Sequence, residues 1–159
     1  APVVRDIGEA DAATLREVVT DAGLLRQILV NLLTNALDAV GSGQDGQDGH
    51  DGQARRDARV TVTARTDAAT DSVLITVSDT GHGIPADDLK RIFEPFYTTK
   101  GRGKGTGLGL AICRQLTAAL GGTISVESEA GKGSTFFIRL PRQGPPVAES
   151  RPRAAGARA

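Results

Sequence analysis

Residues 21–40, DAGLLRQILVNLLTNALDAV, carry two periodic patterns on one segment. Leu25, Ile28, Leu29, Leu32, Leu33, Ala36, Leu37 and Val40 recur at helical spacing and form a broad apolar face, which predicts a long helix lying on a core. Asp21 stands where the N-cap of such a helix belongs. Asn31, Asn35 and Asp38 fall at i, i+4 and i+7, so at about 100° per residue they share one narrow polar stripe. Any surface helix has a polar side, and a single Asn there would need no further explanation. Two of them one turn apart, flanked by Leu and Ala, fit that account less well, because Asn is a mediocre helix former. Amide oxygens suit magnesium, a hard cation that keeps several waters and shares its shell with substrate phosphates.

Toward the N-terminus, Val3 to Ile7 and Leu15 to Thr20 are short candidate strands for a sheet edge. On the other side, residues 41–57 hold the repeat GSGQDGQDGHDGQ, with no apolar residue larger than Ala, and are expected to form a flexible loop insertion in which His50 is solvated. Arg59 to Thr66 and Ser72 to Ser78 alternate apolar and polar residues and read as an antiparallel pair. A short helix is expected from Pro85 to Phe93, and a second long one from about Leu108 to Leu120, stopped by Gly121 and Gly122. Thr123 to Ser128 and Ser134 to Leu140 form a last strand pair around the Gly131-Lys132-Gly133 turn, and Pro141 ends the pattern. The links within strand pairs are too short for parallel crossovers. An α+β two-layer sandwich follows, with a mixed, mostly antiparallel sheet and helices on one face. We expect one domain over 1–141 and a disordered tail or linker over 142–159.

Length and composition agree with a single core: 159 residues, 39% hydrophobic. Nineteen basic residues balance nineteen acidic ones, so no overall field draws the chain to nucleic acid or to an anionic membrane. Any phosphate binding must come from a local site. The one cysteine, Cys113, excludes an internal disulfide and a multi-cysteine zinc site, and is expected to be a small buried apolar residue in a reducing compartment. Apolar runs are shorter than a membrane span, and a cytoplasmic location is expected. Because residue 1 is Ala, we also expect a fragment of a longer parent, which a membrane anchor elsewhere would not contradict.

Three further stretches bear on chemistry. Asp79-Thr80-Gly81-His82-Gly83-Ile84-Pro85 follows a strand, and a β-turn alone would account for its Asp and Gly. The functional reading is a fixed carboxylate accepting a hydrogen bond from an exocyclic amine such as that of adenine, with glycines admitting a flat base; His82 is expected to be exposed. Phe93-Glu94-Pro95-Phe96-Tyr97-Thr98-Thr99-Lys100 precedes Gly101, Gly103, Gly105, Gly107 and Gly109. Five glycines at alternate positions make a loop whose amides can turn to an anion, and the loop runs into a helix N-terminus, which favours phosphate. A plain linker needs neither the cations Lys100, Arg102 and Lys104 nor aromatics before it; Phe93, Phe96 and Tyr97 are expected to anchor its base. Gly131 to Phe136 reads as a hairpin turn, with the Thr135 hydroxyl available to a base.

In this order, NLLTNALDAV, DTGHGIP, FEPFYTTK, GTGLGLAI and GKGSTF resemble the N, G1, F, G2 and G3 boxes of the ATP-binding domain of sensor histidine kinases, over roughly Leu15 to Leu140. The wider superfamily includes DNA gyrase, a mismatch-repair ATPase and an ATP-driven heat-shock chaperone, all with the Bergerat fold. FEPFYTTK is most similar to kinases of the nitrogen-regulation type. The resemblance implies that Asn35 ligates Mg2+ with help from Asn31 and that Asp79 binds the adenine amine. It further implies that Gly81 and Gly83 line the base pocket and that Phe93 to about Gly107 is a mobile lid, with Gly105, Gly107 and Gly109 around the phosphates. Asp38, Ile84, Thr98, Thr99, Lys100, Gly103, Lys104, Thr106, Leu108 and Thr135 complete the candidate ATP-binding set, with Lys100, Arg102 or Lys104 neutralising the γ-phosphate.

The family's phosphoacceptor histidine lies in a separate helical hairpin, and neither His50 nor His82 sits in such a motif. The implied partners are therefore a dimerisation domain carrying the histidine and, downstream, a response regulator. Hydrolytic branches of the superfamily resemble one another in a general-base Glu one turn before the magnesium Asn; here that position is Asn31, and an amide does not accept a proton at neutral pH. Phosphoryl transfer to an imidazole needs mainly positioning and charge neutralisation, so a kinase is expected over an ATPase. An anti-sigma-factor-type serine kinase and a non-catalytic nucleotide-binding or scaffolding domain are the alternatives.

Overall fold

The computed structural model describes residues 3–6, 18–41, 58–100 and 105–145. In chain order its elements are β1 (Val3–Asp6), α1 (Ala22–Gly41), β2 (Val60–Asp67), β3 (Ser72–Asp79), the single-turn α2 (Ala86–Leu89), α3 (Gly109–Ala119), β4 (Thr123–Glu129) and β5 (Gly133–Pro141). Among the described residues the strands make one sheet in the order β1-β2-β3-β5-β4. β1 runs parallel to β2 at the edge, and the remaining pairings are antiparallel. This is the α+β sandwich that the alternating strand patterns predict.

Asp21 caps α1 as expected: its Oδ1 accepts the N–H groups of Gly23 at 2.8 Å and Leu24 at 3.0 Å, satisfying donors that a helix start otherwise leaves open. Ile28, Leu32 and Ala36 form the buried centre of the apolar stripe, and full burial of Ile28 or Leu32 contributes about 1.5–3 kcal/mol each. The stripe is wider than the surface it covers, so Leu37, expected in the core, is 44% exposed. Val60, Val73, Ile75, Val77, Phe136, Ile138 and Leu140 of the sheet close the core with Cys113 and Leu120. Cys113 is fully buried, and desolvation pushes its thiol up to about 11. The other sheet face is largely polar, with hydroxyl pairs Thr63 with Thr76 and Ser78 with Thr135, and with Arg139 bonded to Asp67 and Ser72.

Three expectations change. The helix expected over Pro85 to Phe93 ends at Leu89 and continues as turns, in which Arg91 donates to Asp88 O and Glu94 to Arg91 O; Pro95, lacking an N–H, is no place to resume a helix. Of the candidate strand Leu15 to Thr20, only residues 18–20 are described, and there Val19 makes an isolated bridge to Gln143 instead of a sheet strand. That bridge moves the domain boundary outward. Val19 donates to Arg142 O and accepts from Gly144 N–H, and Arg142 donates to Asp71 O, so residues 142–144 are pinned to the domain and not part of a tail. The tail beyond 145 and the insertion at 42–57 with His50 lie outside the described residues.

Candidate functional site

A cleft of about 560 Å³ opens between α1 and residues 97–100 and 105–110, with the ends of β3 and β5 as its floor. Asp79, the last residue of β3, is only 7% exposed. Its Oδ1 accepts the Gly81 N–H at 2.8 Å, and the Ser134 backbone N–H also bonds the carboxylate. Burial raises its pKa above the ordinary carboxylate value, while those N–H groups and the nearby His82 pull it back. A desolvated carboxylate facing a cleft is suited to an N–H donor from a ligand.

The glycines after Asp79 act differently from what the sequence suggests. Neither Gly81 nor Gly83 lines the cleft. A Cβ on Gly81 would lie 2.6 Å from the Ala39 carbonyl carbon, and one on Gly83, at φ +67°, would lie 2.0 Å from Glu129 O. These two glycines let the turn sit against α1 on one side and the β4–β5 hairpin on the other, so their absence of side chain serves packing. Hydrogen bonds from Gly131 N–H to His82 O at 2.7 Å and from Ile84 N–H to Ser128 Oγ at 2.8 Å hold the same contact.

Thr135 is also displaced. It lies on the far side of the sheet with its hydroxyl 3.0 Å from Ser78 Oγ, and Ser134 and Phe136 line the cleft in its place. Alternation along β5 makes this unavoidable: Phe136 points to the core, so 134 shares its side and 135 does not. That signal was available in the sequence.

From the helical side α1 contributes Thr34, Asn35, Asp38 and Ala39 to the cleft. Lys100 Nζ lies 2.6 Å from Asp38 Oδ2 and 3.4 Å from Asn35 Oδ1. Asn31, one turn back along the axis, does not line the cleft; its side chain lies near the Cys113 thiol and opposes the upward push of burial on it. Asn35 Oδ1 and Asp38 Oδ2 are hard oxygen donors already turned toward a cation, a donor set that fits magnesium. Among the described residues no group of three or more His, Cys, Asp or Glu side chains forms a cage of its own, so a metal here would draw the rest of its shell from water and phosphate.

Thr98, Thr99, Lys100, Gly105, Thr106, Gly107 and Gly109 line the remaining wall, and Ile84 and His82 also line the cleft. Gly107, at φ +66°, accepts the Phe96 N–H at 2.9 Å, and a Cβ there would lie 2.4 Å from the Phe96 carbonyl carbon. The two described ends of the glycine-rich segment are thereby held together; Arg102, Gly103 and Lys104 lie outside the described residues. Leu108 occupies the N-cap position of α3 without a side-chain cap and does not line the cleft, whereas Gly109 and Leu110 of the first turn do. The amide end of α3 therefore borders the cleft.

Of the three aromatics expected to anchor this segment, Phe93 packs on the core without lining the cleft, and Phe96 is 75% exposed at φ +67°. The positive φ turns Phe96 outward, while Ile92 is buried in the core. Tyr97 lines the cleft, its hydroxyl donating to the Asp88 carboxylate and its ring 4.4 Å from the Arg91 guanidinium carbon. Thr34, Ala39, Leu110 and Phe136, which stand inside the quoted motifs without an assigned role, and Ile92, which stands just before one, are further lining residues.

The family model for histidine kinase-, DNA gyrase B-, and HSP90-like ATPases matches residues 20–144. Sensor kinase CckA of Brucella abortus (strain 2308) is 46% identical over 125 residues, covering 79% of this chain and 13% of that protein. Sensor histidine kinase ZraS of Escherichia coli (strain K12) is 44% identical over 128 residues, covering 80% of this chain and 24% of that one. The chain thus spans about a quarter or less of the length of these relatives. The catalytic domain of histidine kinase ThkA superposes with a TM-score of 0.60 at 31% identity, over 79% of this chain and 71% of that one. Full-length ShkA in complex with AMPPNP superposes with a TM-score of 0.66 at 31% identity, over 87% of this chain and 25% of that one.

Proposed function

The chain belongs to the histidine kinase-, DNA gyrase B-, and HSP90-like ATPase family, as the ATP-binding catalytic domain of a sensor histidine kinase, and from that premise we propose how its own residues act. Asp79 takes the adenine amine at one end of the cleft. Asn35 provides the amide oxygen for magnesium at the other, and Lys100 places its ammonium on the γ-phosphate side. Amides of the glycine-rich segment and of the first turn of α3 hold the phosphate oxygens. Magnesium held by Asn35 would supply charge neutralisation of the triphosphate. The γ-phosphoryl passes to a histidine on a separate dimerisation domain of the parent protein, and from there to a response regulator. The likeness of FEPFYTTK to nitrogen-regulation kinases belongs to the same proposal.

The observation that carries this reading is that a desolvated carboxylate, Asp79, and a cation-directed pair, Asn35 and Asp38, line one cleft bordered by a helix N-terminus. Likeness to a kinase solved with AMPPNP supports an adenine nucleotide. Asn31, an amide that does not line the cleft and cannot act as a general base at neutral pH, supports transfer over hydrolysis. The test is incubation with radiolabelled ATP, magnesium and a separately purified dimerisation domain. Acid-labile label should appear on that domain and be lost with Asn35→Ala and with Asp79→Ala; transfer that survives both substitutions contradicts the assignment.

A further inference from the structure

Lys100 crosses the cleft to α1, joining residues 62 positions apart through Asp38 Oδ2 at 2.6 Å and reaching Asn35 Oδ1 at 3.4 Å. The second oxygen belongs to the residue assigned above to magnesium. An ammonium beside that oxygen and a divalent ion bound to it repel one another, so occupancy of Asn35 by one disfavours the other. Asp38 decides which cation has the advantage, because its carboxylate makes the shorter contact to Lys100.

We propose that Asp38 is a positioning residue that parks Lys100 on the metal-binding side of α1, and that the metal–triphosphate displaces Lys100 from Asn35 onto phosphate oxygens. The proposal rests on the magnesium and triphosphate reading above. The exchange is balanced in charge: the ammonium leaves a carboxylate for a phosphate, and Asp38 is left facing the hydrated divalent ion. A plain surface ion pair with no part in binding would leave the metal dependence of nucleotide affinity untouched.

The chain is compared with Asp38→Asn, Asp38→Glu and Lys100→Gln in two measurements. The first is hydrogen exchange of peptides covering 93–100 in the absence of nucleotide. Asp38→Asn and Lys100→Gln should speed exchange by up to about fivefold, as for a half-exposed ion pair, and Asp38→Glu should restore protection. The second is the Kd of a fluorescent ATP analogue with excess magnesium and with EDTA. Asp38→Asn should tighten metal-free binding by up to about fivefold while gaining less with magnesium, so the ratio of the two constants shrinks. Unchanged exchange overturns the parking of Lys100, and an unchanged ratio overturns the displacement. If the wild-type chain binds the analogue under neither condition, the nucleotide reading and the displacement both fall, whereas the exchange measurement still decides whether Asp38 holds Lys100.

Discussion

Replacing Asp79 with Asn should separate stability from binding. The carboxylate is 7% exposed, and desolvation raises its pKa despite the Gly81 and Ser134 N–H groups. An acid whose folded pKa is raised favours the fold fully below its unfolded value, near 3.8, and loses that contribution as pH rises through the folded value. Once ionised, Asp79 is thus a load on the unliganded domain, and Asn removes the charge while its amide oxygen still accepts the Gly81 N–H. Thermal unfolding should show Asp79→Asn at least as stable as wild type at pH 7, with its relative advantage growing from pH 4 to pH 7. Nucleotide affinity should move the other way. A hydrogen bond to a charged group is worth about 1.5–3 kcal/mol, so calorimetry should find ATP binding weakened roughly 10- to 150-fold. The reasoning fails if Asp79→Asn binds ATP within about twofold of wild type, or if its relative stability falls as pH rises.

The register of β5 gives a paired prediction: Ser134→Val should weaken nucleotide binding by about three- to tenfold, while Thr135→Val, which only breaks a pair with Ser78 on the far face, should leave it within about twofold, both by fluorescence titration. Gly81→Ala places a Cβ 2.6 Å from Ala39 backbone, so α1 and the turn must separate; denaturant unfolding should show a loss of about 1–3 kcal/mol even without nucleotide.

The elements were largely readable because their periods are clean. Ile28, Leu32 and Ala36 mark the helix face that is buried, and Val73, Ile75 and Val77 mark the strand face beneath it. Asn35, Asp38 and Asp79 were legible as unusual polar residues at the edges of those patterns. Roles that depend on distant neighbours were not. Whether Gly81 serves a base or the backbone of Ala39 depends on how closely α1 approaches, which no local pattern encodes. Asn31 and Asn35 look alike on a helical stripe, yet one turn of helix, about 5.4 Å, separates the side chain that meets Cys113 from the one in the cleft. The outward turn of Phe96 and the Lys100–Asp38 pair are equally tertiary, set by the Gly107 contact and by a bridge across the cleft.

The most direct measurement is a crystal structure of the chain with a nonhydrolysable ATP analogue and Mn2+ in place of magnesium, located by its anomalous signal. Metal density should lie about 2.1 Å from Asn35 Oδ1, with the exocyclic amine of the base within hydrogen-bond distance of Asp79. Metal bound away from α1, or a base seated away from Asp79, would contradict the account.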